Sequence, residues 1–161
     1  MPSEYFCYTD GSCKVGEDAP GGWGFSIRQP DGPPLEGHGA ATKTLAKIME
    51  YTAVAEALEV LPAGAKATVF SDNQALVENC RRRLDGWRQG GWAKVDPSIV
   101  EVVKRIDALI AAKKLVLTWQ WVRGHRGNAG NDRADELAAQ GKREAVAALK
   151  AEELASRRAG Y

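Results

Sequence analysis

A mixed five-stranded α/β sheet, three strands antiparallel and two parallel, with helices on both faces, is the fold class this sequence predicts. Three observations lead there. The chain opens with three strand-like runs separated by turn-length segments, then alternates helix, strand, helices, strand and helix, an order that gives a meander followed by parallel crossovers. Two of the runs end in an aspartate, Asp10 and Asp72, and sites in such sheets gather at the carboxyl ends of parallel strands. The length of 161 residues with 44% apolar content suits one ordinary domain, able to bury roughly 70% of its unfolded surface in a single core. Residues 1–161 are expected to form that one domain, with 142–161 a helical or frayed extension.

From Glu4 to Asp10 aromatics fall on both alternation faces, which suits a central strand covered on two sides. Trp23, Phe25 and Ile27 then alternate with Gly24, Ser26 and Arg28 as a second strand. The turn cluster Pro30-Asp31-Gly32-Pro33-Pro34 leads to a third around Leu35 to Ala41. The pattern turns helical from Thr44 to about Val60, returns to strand from Ala65 to Ser71, and is helical again from Asn73 to about Arg83. An irregular stretch of Trp, Gly and Arg follows. Asp96-Pro97 has the chemistry of an N-cap with proline at the first helical position. Ile99, Val103, Ile106 and Ile110 recur at helical spacing, Leu115 to Val122 gives the fifth strand, and a last helix starts near Asn131.

The formal net charge of +1 excludes a globally basic protein, so nucleic-acid affinity has to come from a local patch. Cys7, Cys13 and Cys80 are odd in number and lack C-x-x-C spacing, which fits reduced thiols in the cytoplasm better than a disulfide framework or a zinc site. The chain enters its first strand without a signal-peptide apolar segment, and no apolar run is long enough to span a bilayer, so no membrane partner is expected.

Candidate chemistry rests on carboxylates. Asp10 before Gly11 reads by itself as a turn, and Asp72 before Asn73 as a helix N-cap. Glu50 is more telling. Ala46, Met49, Ala53, Val54, Ala57 and Leu61 trace one apolar stripe, and Glu50 falls inside it, whereas Glu56 and Glu59 lie outside and read as solvated. A carboxylate aimed at a core has to neutralise, pair or bind a metal, because an unpaired buried charge costs several kcal/mol. A buried salt bridge is the plainer alternative, but the strand ends facing Glu50 offer carboxylates rather than cations. Asp135 flanks the stripe of Ala134, Leu137, Ala138 and Gly141, whereas Asp132 suits the helix dipole, and His125 sits in a glycine-flanked loop where a lone His is commonly a surface residue.

Together, Thr9-Asp10-Gly11-Ser12, Met49-Glu50, Ser71-Asp72-Asn73-Gln74, Trp121-Val122-Arg123-Gly124-His125 and Asn131 through Ala138 resemble type I ribonuclease H in order and spacing, from about Tyr5 to Gln140. The resemblance implies an endoribonuclease that cuts the RNA strand of RNA/DNA hybrids with two Mg²⁺ ions, Mn²⁺ being a substitute, and leaves 3′-hydroxyl and 5′-phosphate ends. It assigns Asp10, Glu50, Asp72 and Asp135 to the metals, with Asp10 shared, and His125 to proton transfer or product departure. It places Gly11, Ser12, Cys13, Thr42, Thr44, Asn73 and Gln74 near the hybrid. Arg81, Arg82, Arg83, Arg88 and Lys94, interleaved with Trp87 and Trp92, then read as a basic protrusion for the DNA strand, although a solvated helix end with core tryptophans is the equal reading without the family. Trp119, in phase with Leu117 and Trp121, reads as core.

The sequence also departs from that pattern. The family's Thr-Asn-Asn type segment is here Thr42-Lys43-Thr44-Leu45, the loop after Cys13 carries Glu17 and Asp18, and the basic segment passes quickly from Lys94 to Asp96-Pro97. These changes predict weaker or more salt-sensitive hybrid binding. Two alternatives stay open: another nuclease on this fold, and a non-catalytic or altered-specificity nucleic-acid-binding protein. A monomer is expected.

Overall fold

The computed structural model describes residues 4–124 and 128–160. Its first half is a three-stranded antiparallel meander, β1 (Glu4–Cys13), β2 (Ala19–Arg28) and β3 (Leu35–Thr44). Helix α1 (Ala46–Val60) leads to β4 (Lys66–Ser71), followed by α2 (Gln74–Arg82), α3 (Leu84–Gln89) and α4 (Val100–Lys113), then β5 (Val116–Trp121) and α5 (Ala129–Gly160). The sheet order is β3-β2-β1-β4-β5, with β1 antiparallel to β2 and parallel to β4. The predicted mixed sheet is thus the observed one.

The core lies where α1 meets the sheet and α4. Cys7, Ile27 and Val69 from the strands, Val54 and Leu58 from α1, and Ile106 from α4 are fully buried there. Helix α1 is covered on more than one side: Tyr51, Ala55 and Leu58 are as buried as the expected stripe of Met49, Ala53, Val54 and Ala57, while Ala46 is exposed. A helix held between two layers loses its single polar face. Glu56 is correspondingly not a free solvated carboxylate, because Arg105 of α4 pairs with it at 2.6 Å. The Lys113 ammonium closes the other end of α1 by donating to the carbonyls of Leu58, Glu59 and Leu61, groups that a helix terminus leaves unsatisfied.

Helix α5 lies against β1, β2 and β3 through small residues. A β-carbon on Gly24 of β2 would stand 2.5 Å from the amide nitrogen of Ala138 and 2.7 Å from the carbonyl oxygen of Ala134, so only glycine admits this approach. Asn131, Ala134, Leu137, Ala138, Gly141 and Ala145 form the buried face of α5, and from Ala147 to Ala159 all but Leu149 are exposed. The tail is therefore a continuous helix.

Two local expectations are corrected. The stretch expected to be irregular contains α3, a single short helix around Leu84. Asp96 does not cap α4: its carboxylate accepts from the amide and hydroxyl of Ser98, and Ile99 is the residue that precedes the helix. Asp96-Pro97 makes a local Asx-type turn three residues ahead of the observed cap.

Candidate active site

Strand β4 stops before β1 does, and that mismatch creates the site. Their pairing ends at Tyr8 opposite Phe70, while β1 runs on to Cys13, so Asp10 borders the notch where β4 gives way to Asp72. The Thr9 hydroxyl secures the junction by donating to the Phe70 carbonyl at 2.9 Å. Side chains from both faces of the sheet can meet in such a notch.

Glu50 enters from the α1 side. A β-carbon on Gly11 would lie 2.5 Å from the Glu50 amide nitrogen and 2.7 Å from the Met49 carbonyl carbon, so the bare Cα of Gly11 is what lets this turn of α1 rest on β1. Burial raises the Glu50 carboxyl above its ordinary range, a hydrogen bond from the Asn73 side-chain amide pulls it back, and the charge of Asp72 adds to the rise.

Asp135 enters from α5 on the other side, and a side-chain hydrogen bond joins it to Asp10. Two carboxyls can share such a bond only when one holds a proton. The Asp10 carboxyl is pushed up to about 8, first by burial, then by the charge of Asp72 and by the bond and charge of Asp135, while the Gly11 amide donating at 2.9 Å opposes the rise. Asp10 is 6% exposed. The start of α5 is held by Arg133, whose Nε and Nη2 donate to the two Glu36 oxygens of β3 at 2.9 and 3.1 Å. Ser26 of β2 donates to the same carboxylate at 3.3 Å.

Asp10 thus bonds Asp135 and feels the charge of Asp72, and the same charge of Asp72 acts on Glu50. Among the described residues no three His, Cys, Asp or Glu side chains are already drawn around one point; the carboxylates meet in pairs. Their chemistry still fits a hard divalent cation. All donors are oxygens, and two of the carboxyls, Asp10 and Glu50, are raised by burial and by neighbouring negative charge, a repulsion that a cation would relieve.

The other expected site residues divide. Ser12 and Cys13 end β1 and Thr42 and Thr44 end β3 at the same edge of the sheet, where the Cys13 thiol lies 3.9 Å from the Thr44 carbonyl. Thr44 is buried, the other three are half-buried, and Gln74 is exposed at the start of α2. Gly11 and Asn73 serve the carboxylates through the contacts just described. Trp87 and Trp92 pack on the core, Arg88 pairs with Asp85 and Asp107, and Arg81 with Glu78 and the Trp119 carbonyl, while Lys94 is exposed. Lys47 bonds Asp96, which ties the Lys94 loop to the first turn of α1. His125 lies outside the described residues, but Gly124 beside it would place a β-carbon 3.3 Å from an Asp72 oxygen. Trp119 is buried as expected, whereas Trp121 is 38% exposed and its indole donates to the Asp72 carbonyl at 3.1 Å.

Sequence reading missed the Glu36–Arg133 clamp and the Asn73–Glu50 bond, because partners 97 and 23 positions apart leave no local signal. The glycines flanking Trp23 were a usable sign of close backbone approach.

Comparison with known proteins points to one family. The RNase H family model matches residues 2–143. A ribonuclease H of Polaromonas naphthalenivorans is 38% identical over 152 residues, covering 92% of this chain and 93% of its own. One from Methylorubrum extorquens is 39% identical over 147 residues, covering 90% of this chain; the match spans 63% of that longer relative. Among solved structures, the crystal structure of LC9-RNase H1, a type 1 RNase H with the type 2 active-site motif, is similar with a TM-score of 0.76, 21% identity, and coverage of 88% of this chain and 73% of that one. LC11-RNase H1 in complex with RNA/DNA hybrid is similar with a TM-score of 0.60, 22% identity, and coverage of 88% and 99%. With a family match across most of its length and relatives near two-fifths identity, this chain belongs to the ribonuclease H family.

Proposed function

We propose that the chain is an endoribonuclease that hydrolyses the RNA strand of RNA/DNA hybrids and leaves 3′-hydroxyl and 5′-phosphate ends. The observation that carries this reading is Asp10 in its notch, bonded to Asp135 and raised by the charge of Asp72, which also raises Glu50. Asp10, Glu50, Asp72 and Asp135 would hold two Mg²⁺ ions, for which Mn²⁺ would substitute. When bound, such ions supply an activated water and charge relief at the phosphate and the leaving oxygen. The chain's own part is to hold the carboxylates in place, from β1, α1, the end of β4 and α5. His125, next to the Gly124 that borders Asp72, would move a proton or aid product departure. The sheet edge bearing Ser12, Cys13, Thr42 and Thr44, with Gln74 at the start of α2, would face the hybrid, with Lys94 reaching its DNA strand. The hybrid bound by LC11-RNase H1 supports this substrate class.

A cytoplasmic, monomeric protein accords with the rest of the chain. Burial pushes the thiols of Cys7 and Cys80 up to about 12, so these unpaired cysteines are inert. No described helix is long and apolar enough to cross a membrane. A second reading, a nucleic-acid-binding protein of altered specificity on this fold, has one observation in its favour: Arg81 and Arg88 of the basic segment are spent on carboxylates of the chain itself.

End-labelled RNA/DNA hybrid, single-stranded RNA, duplex RNA and duplex DNA, each incubated with Mg²⁺, Mn²⁺ or EDTA, separate the readings. Metal-dependent cutting of hybrid RNA alone is expected. Cleavage of duplex DNA without hybrid cleavage overturns the proposal, and binding without cleavage selects the second reading.

A further inference from the structure

We infer that Asn73 is a positioning residue for Glu50, an inference that rests on the metal-site reading above. Its backbone amide and both side-chain polar atoms are committed inside the protein. Its amide nitrogen donates to the Ser71 hydroxyl at 3.1 Å, its side-chain Oδ1 accepts from the Leu76 amide at 3.0 Å, and its Nδ2 donates to Glu50 Oε2. The first two bonds fix the plane of the side-chain amide, because Oδ1 is pinned as the N-cap of α2. With the plane fixed, the direction of Nδ2 is fixed too, and with it one oxygen of Glu50.

A second bond makes the same connection one residue along. Asn79 of α2 donates through Nδ2 to the Tyr51 hydroxyl at 2.9 Å, and Tyr51 is 2% exposed. Two asparagines of one segment therefore hold two consecutive residues of α1. Among the described residues Glu50 makes no other side-chain hydrogen bond, so Asn73 sets how this carboxylate presents its remaining oxygen. Groups that orient a metal ligand from behind characteristically change metal affinity by about 10- to 100-fold when removed.

Helix capping and positioning separate by substitution. Asn73→Ser retains an N-cap oxygen and lacks the Nδ2 donor; Asn73→Ala lacks both. Mg²⁺ affinity of the substrate-free protein is read by titration calorimetry, folding by the thermal midpoint, and catalysis by kcat and KM for hybrid at saturating Mg²⁺. Asn73→Ser is expected to weaken Mg²⁺ binding about 10-fold with its melting temperature and KM close to the parent, and Asn73→Ala to weaken Mg²⁺ binding equally and also melt lower. A raised KM with unchanged Mg²⁺ affinity overturns the inference in favour of direct contact with nucleic acid. Lower stability with unchanged Mg²⁺ affinity overturns it in favour of capping alone. Asp10→Asn in the same titration tells the two levels apart: if it binds Mg²⁺ like the parent, the metal-site reading itself fails, whereas loss there with full affinity in Asn73→Ser removes only the role of Asn73.

Discussion

Gly11 and Glu50 are neighbours in space because one of them has no side chain. The Gly11→Ala methyl would have to displace the backbone of Met49 and Glu50, which it would approach to 2.5 Å, and overpacking of this kind costs about 1–3 kcal/mol. The variant is expected to lower the urea midpoint and to weaken Mg²⁺ binding together, as measured by denaturation and calorimetry; a lowered midpoint with parental Mg²⁺ affinity would show that α1 moves without carrying Glu50. Of these two residues the sequence made Glu50 conspicuous, since a carboxylate among Met49, Ala53 and Val54 has no comfortable apolar explanation. Gly11 read only as half of an Asp-Gly turn, and Asn73 only as a cap, because what distinguishes each is a contact with a helix 23 or more positions away.

The carboxylates are delivered by separate elements, and their mutual cost is a property of how β1, β4 and α5 are assembled. Asp10 has an ordinary carboxyl value near 3.8 that assembly raises to about 8 through burial, Asp72 and Asp135. The folded metal-free protein therefore retains a proton that the unfolded chain releases, so this group's contribution to stability is fully present below the unfolded value and is lost as pH rises through the folded one. Thermal melts in EDTA are expected to fall from about pH 5 to about pH 9, and Mg²⁺ to flatten the decline by favouring the ionised carboxylates. A melting temperature that rises with pH in EDTA would contradict the clustering of Asp10 with Asp72 and Asp135. The element order and sheet topology were legible in the strand and helix periods, as were Asp72 at the end of β4 and Asp135 beside the buried face of α5. Helix α3 was not, because six residues with Gly86 inside carry too little period to read. The extra burial of α1 was hidden for a different reason: Tyr51, Ala55 and Leu58 are buried by elements distant in the chain, as when Asn79 of α2 bonds the Tyr51 hydroxyl.

Taken whole, the molecule has its carboxylates beside a basic segment whose arginines are largely paired within the chain. Arg81, Arg82 and Arg88 are paired with Glu78, Asp85 and Asp107, and the chain carries no asparagine where the resemblance expects polar readers before Glu50. Of the two outcomes the sequence left open, this favours weak binding over unusual salt sensitivity, since few phosphates would be neutralised. Hybrid affinity plotted as log K against log salt is expected to have a slope shallower than about −5, the value for roughly six phosphate contacts; a steeper slope would show that those arginines abandon their carboxylates for the hybrid. The helix beyond residue 143, outside the family match, contributes no described contact to the carboxylate centre.

The central claim is that Asp10 anchors a metal-dependent hydrolytic site, and its most direct measurement is the rate of hybrid cleavage in Mg²⁺ by the parent and by Asp10→Asn, with circular dichroism confirming the fold of both. The account predicts RNA-strand cutting by the parent, abolition of it in Asp10→Asn and indistinguishable spectra; a near-parental rate in Asp10→Asn would contradict it.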